Sequence, residues 1–132
     1  MNHGIQVLRS HPKSPPQSVE ECIQACLDCL LACTACADAC LAEDDVTAMS
    51  GCIRLDAACA AACGATVQLL VSSGTTGNHV ALKAQLKACL EACNTCEQEC
   101  RSHAGHHDHC EHCADACNAC ASACEVTLKT LN

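Results

Sequence analysis

The stretch that decides the fold is residues 21–40, ECIQACLDCLLACTACADAC, in which Cys22, Cys26, Cys29, Cys33, Cys36 and Cys40 follow at gaps of 4, 3, 4, 3 and 4. On an α-helix that spacing sets every thiol on one stripe, the inward seam of a coiled bundle. Such a seam ordinarily carries Leu, Ile or Val, because apolar burial draws the helices together. Here it carries sulfur.

Other segments repeat the substitution. Cys89, Cys93, Cys96 and Cys100 recur at gaps of 4, 3 and 4, and Cys110, Cys113, Cys117, Cys120 and Cys124 at 3, 4, 3 and 4. A poorer segment holds Cys52, Cys59 and Cys63, and the residue at its missing heptad position is Asp56. A carboxylate on an inward stripe is costly unless something pairs with it. Asp56 is therefore expected to face the core and to meet metal or a thiol through oxygen, the alternative being a slightly rotated helix that leaves it at the margin.

Local signals set the boundaries. Pro12, Pro15 and Pro16 hold their neighbours out of regular helix, so residues 1–17 read as a tail or short arm with His3 and His11 in solvent. Ser18 with Glu21 forms a capping box that opens a helix over 18–42. Asp44 or Asp45 caps a second helix over 45–72, SSGTTGN reads as a turn, and Asn78 caps a third over 78–103. Asp108 with Glu111 opens a fourth over 108–128. Four helices with short connections predict an all-α, antiparallel up-down four-helix bundle over residues 18–132, with a cysteine-lined core.

Composition narrows the function. The 132 residues include 18 cysteines and no Phe, Tyr or Trp, so the core must be narrow and lined by small side chains. No signal-like run opens the chain, and the apolar stretches look too short and too interrupted by acids to span a bilayer. That points to a reducing cytoplasm, where clustered cysteines serve metal more often than disulfides. A net charge of −8 with seven Lys and Arg offers no basic face for nucleic acid.

Residues four apart on a helix are neighbours, and the chain holds eight such CxxxC pairs, which leave only Cys52 and Cys110 unpaired. Thiolates select Cu(I), zinc and iron–sulfur clusters. Structural zinc takes four ligands, so this many thiolates would hold roughly four ions and strand on the order of ten negative charges inside. Cu(I) at about one ion per thiolate cancels the buried charge. Iron–sulfur runs use CxxCxxC on irregular loops, which is not the pattern here. A copper chaperone or a thiol oxidoreductase needs one exposed or activated pair, and no catalytic constellation appears, so no enzyme activity is expected. The alternative that remains is a zinc or general thiol buffer with a metallothionein-like role.

Antiparallel order makes the two ends unlike. One collects Val19, Val67, Leu70, Leu82, Leu86 and Leu128 as an apolar plug. The other collects Cys40, Met49, Cys52, Cys100, His103, His106, His107, His109 and Cys110. Met and His bind copper without negative charge and exchange it readily, so copper is expected to pass at this mouth, with His103 foremost and Met49 and the residues of GHHDH, His106, His107 and His109 among them, beside it. His79 and His112 read as surface residues.

The chain resembles the non-exported branch of the bacterial copper storage proteins, on the strength of ECIQACLDCLLACTACADAC and the CxxxC repeats of the third and fourth helices. The resemblance spans about residues 18–130 and implies a four-helix bundle filled with many Cu(I) ions, a homotetramer, and storage or detoxification of cytosolic copper. Exported relatives carry a Tat signal and mouth methionines. This chain has mostly histidines there.

Overall fold

The computed structural model describes residues 2–74 and 78–131. Helix α1 (His3–Arg9) is followed by four long helices, α2 (Gln17–Leu41), α3 (Ser50–Ser73), α4 (Val80–His103) and α5 (Asp108–Thr130). A 3₁₀ turn (Val46–Met49) leads into α3. No strand occurs among the described residues. The fold is the expected all-α bundle: α2 packs on α3 and α5, and α4 packs on the same two, so the four antiparallel helices enclose a square prism.

The seams turn inward as their spacing requires. All eighteen cysteines are buried, and α2 alone contributes six of them. Two further small residues, Ala114 and Ala121 of α5, complete the narrow interior. Around this tube, Leu30, Ile53, Leu55 and Leu90 pack partly buried at the flanks, whereas Leu27, Leu31 and Leu41 stay exposed.

Several helix starts differ from the sequence reading. Helix α2 begins at Gln17, because the Pro16 carbonyl accepts from Val19 N at 3.0 Å and Glu20 N at 3.1 Å, which puts Ser18 inside the first turn rather than at the cap. Likewise His107 precedes α5 in extended backbone, so Asp108 and Glu111 sit in the first turn and favour it as charges near the helix N-terminus. The second long helix starts at Ser50 rather than 45, since the Ala48 amide closes a tight turn onto Asp45 O at 2.9 Å. Before α4, Asn78 Oδ1 accepts from Val80 N at 3.2 Å, while His79 takes the cap position. Of the turn expected at SSGTTGN, residues 75–77 lie outside the described residues.

The N-terminal arm is helical. Asn2 Oδ1 caps α1 by accepting from Ile5 N at 3.1 Å, Arg9 pairs with Glu20 at 2.8 Å, and Ile5 and Leu8, one turn apart, are buried. Together with Ile23, Leu27, Val67 and Val71 they line a groove of about 260 Å³. An amphipathic helix of only seven residues leaves too weak a period to be recognised beside three prolines.

Two segments, Gln17–Leu41 and Val46–Ser73, do have the length and apolar composition to cross a membrane, which corrects the sequence reading of the apolar stretches as too short. Cysteine and alanine raise their hydropathy, and in the fold their sulfur stripes face the tube.

Candidate metal centre

Heptad spacing on four helices stacks the thiols into overlapping tetrads. Toward the plug, Cys26, Cys89, Cys120 and Cys124 bring their sulfurs within 4.8 Å of one another. The middle holds three more sets, Cys29–Cys59–Cys63–Cys93, Cys29–Cys33–Cys59–Cys117 and Cys33–Cys96–Cys113–Cys117. At the mouth stand Cys36, Cys40, Cys52 and Cys110. Consecutive middle sets share two sulfurs, Cys29 with Cys59 and then Cys33 with Cys117. These middle sites are therefore links of one chain, in which a thiolate can bridge neighbouring ions.

Individual contacts have the same close spacing. Cys59 and Cys93 approach to 3.7 Å, Cys33 and Cys117 to 3.7 Å, Cys26 and Cys120 to 3.7 Å, and Cys52 and Cys100 to 3.4 Å. All eighteen thiols are free. Tetrahedral zinc, with bonds of about 2.3 Å, would also accept sulfur edges of this length. The sulfur donors thus select a soft ion, and the charge of so many buried thiolates selects a monovalent one.

Without metal, the thiols satisfy one another by sharing protons. Hydrogen bonding with Cys117 lowers Cys29 and Cys59, and hydrogen bonding with Cys100 lowers Cys113. Other thiols lose acidity: hydrogen bonding with Cys113 raises Cys33, hydrogen bonding with Cys120 raises Cys26 and Cys93, and burial adds to each rise. At the mouth, Cys100 and Cys36 hold Cys52 down to about 2, while burial and the nearby negative Cys52 push Cys110 up to about 12. Each bound cation replaces a proton in this network.

Asp56 is fully buried among the thiols. Its Oδ1 accepts from Cys96 at 3.1 Å, Cys113 at 3.3 Å and Cys100 at 3.5 Å, and its Oδ2 from Cys52 at 3.7 Å. The inward orientation expected from the heptad is thus the observed one, rather than the rotated alternative. Burial drives its carboxyl up to about 8, against the opposing donation from Cys96. It is the one carboxylate inside the tube among the described residues, set between the middle tetrads and the mouth.

The mouth histidines divide. Met49 is fully buried at the end of the 3₁₀ turn. His109 turns Nδ1 toward Cys36 Sγ at 3.5 Å and Cys110 Sγ at 3.6 Å, and Nε2 toward Glu43 Oε1 at 3.3 Å. His103 instead places Nε2 on Glu99 Oε2 at 2.8 Å, and His106 is exposed. The ring of His107 lies between, 5.5 Å from that of His109 and 6.5 Å from that of His103. Heptad counting puts His103, three residues after Cys100, ahead of His109, which belongs to the expected gateway but lies one residue off the α5 stripe. Its adjacency to Cys110 was the available signal. His112, His3 and His11 are exposed, and His79 is half-buried.

The model of the copper storage protein family matches residues 15–129. The chain belongs to the copper storage protein family. The structure is similar to that of the copper storage protein Ccsp from Streptomyces lividans, solved loaded with 10 copper equivalents and also described as cytosolic: TM-score 0.88, 42% identity, 96% of this chain and 98% of that one covered. It is also similar to the Cu(I)-bound copper storage protein BsCsp3, with TM-score 0.75 and 39% identity over 84% of this chain and 98% of that one. The cysteine-rich protein YhjQ of Bacillus subtilis is 40% identical over 108 residues, 82% of this chain and 94% of that protein. As a member of this family, the chain has a natural cargo for its sulfur tube in copper.

Proposed function

We propose that the protein stores Cu(I) in the cytoplasm, holding many ions at about one per thiolate inside the bundle, without catalysing a reaction. The observation that carries this reading is the succession of buried thiol tetrads from plug to mouth, of which the middle ones share sulfurs. The ligands are the eighteen cysteines, with Asp56 supplying oxygen and Met49 sulfur toward the mouth. Copper passes at the histidine end, where His109 is the first donor because its Nδ1 faces two thiols, and His103 and His106 form the outer ring. The exposed leucines Leu27, Leu31 and Leu41 supply apolar area for a homotetramer. Zinc buffering is the reading it displaces, on the charge argument.

Anaerobic titration of the apo protein against a competing Cu(I) chelator tests the proposal. Saturation near one Cu(I) per thiolate supports it, and tight saturation at roughly four divalent ions with weak copper binding would overturn it.

A further inference from the structure

We propose that Glu43 is a positioning residue for copper uptake, holding His109 in the tautomer that presents a bare Nδ1 to the outermost thiols. The proposal rests on the reading of His109 as the mouth donor. Its basis is the way the two faces of one imidazole are used. A carboxylate oxygen accepts, so Glu43 Oε1, 3.3 Å from Nε2, favours the ring hydrogen on Nε2. That leaves the Nδ1 lone pair directed at Cys36 and Cys110, 3.5 and 3.6 Å away, where an arriving Cu(I) would meet two sulfurs and one nitrogen together. The opposite tautomer would put an N–H toward the metal position and leave a lone pair facing a carboxylate.

Glu43 is itself held. Its amide donates to Cys40 O at 3.2 Å, which ties it to the end of α2 beside the ligand stripe. Its second oxygen, Oε2, lies 3.4 Å from His107 Nδ1, and the other nitrogen of His107 faces Asp45 Oδ2 at 3.7 Å. The carboxylate is thus clamped between two imidazoles, and its rotation is restricted without any contact to a thiol. Carboxylates in this relation to a ligating histidine fix the ring and raise its basicity, and their loss typically weakens metal binding by 10- to 100-fold.

Two measurements on the full-length protein test this: imidazole nitrogen NMR of the apo form, with His109 assigned by difference from His109→Ala, and the rate of Cu(I) transfer from a chelator. Glu43→Ala should mix the two His109 tautomers and slow transfer by about tenfold, with total copper capacity unchanged. Glu43→Gln, which keeps an accepting oxygen, should restore the Nε2–H tautomer and most of the rate. The proposal is overturned if His109 keeps its tautomer in Glu43→Ala, or if that variant loses a copper equivalent, which would make Glu43 a ligand. A normal transfer rate in His109→Ala would instead sink the reading of His109 as the mouth donor, while the copper-free NMR result would still decide what Glu43 does to the ring.

Discussion

The two ends of the bundle are built from different chemistry. At the closed end Val19, Leu70, Leu82 and Leu86 are fully buried, and the polar groups among them are answered locally: Thr66 Oγ1 donates to Ala62 O at 2.7 Å and accepts from Gln85 Nε2 at 3.2 Å, and Thr127 Oγ1 donates to Ala123 O at 3.0 Å. At the mouth the interior ends in Cys52, Cys100 and Cys110 under a polar rim of Glu43, His107 and His109. The plug gains stability from apolar area removed from water, which needs no partner. The sulfur part is satisfied only through shared protons or metal. Folding of the apo chain is therefore expected to draw chiefly on the leucine end and the flanking leucines, with the tube left to fill and empty.

The largest break in that comparison should come from the plug. Leu82→Ala or Leu86→Ala is expected to destabilise the apo protein by about 2–5 kcal/mol in chemical denaturation, while copper capacity stays the same. A fall in capacity matching the fall in stability would show the two ends to be one unit.

A smaller effect belongs to Asp56. Its folded carboxyl is raised from 3.8 to about 8, so between those values the folded state holds the proton that the unfolded chain has lost. Apo stability must therefore fall as pH rises through that window. Asp56→Asn should flatten the profile over the same range, and a slope identical to that of the parent chain would show that another group is responsible. In the loaded protein the same substitution removes an anionic oxygen, so copper near Cys52, Cys96 and Cys113 should be held less tightly in a chelator competition.

Smaller again are the differences among the mouth histidines. His109→Ala should slow Cu(I) uptake and removal more than His103→Ala does, because only His109 touches thiols. His106→Ala, altering an exposed side chain, should leave both rates within error. The reverse order in stopped-flow transfer would restore the rank that heptad counting assigned.

The four long helices, the bundle type, the inward thiols and even the inward turn of Asp56 were legible because they follow from one period, and a period survives without knowledge of neighbours. Cap positions were less so. Pro16 and His107 took places that the two capping-box patterns assigned to Ser18 and Asp108, since chain direction at a helix start depends on what precedes it. Helix α1 was hidden because its stability comes from burying Ile5 and Leu8 at the groove shared with Ile23 and Val67, a surface that exists only after folding.

By itself, then, the sequence determined that sulfur would fill a four-helix core, that one end would be greasy and the other rich in histidine, and that a soft monovalent ion suits the charge. Only the tertiary structure decided which sulfurs share a site, that Asp56 meets thiols of α4 and α5 as well as of its own helix, and that His109 rather than His103 reaches them. The physical reason is that a heptad fixes the face of a residue on its own helix. Which atoms converge across helices depends on rotation, offset and side-chain reach, and those are set by packing.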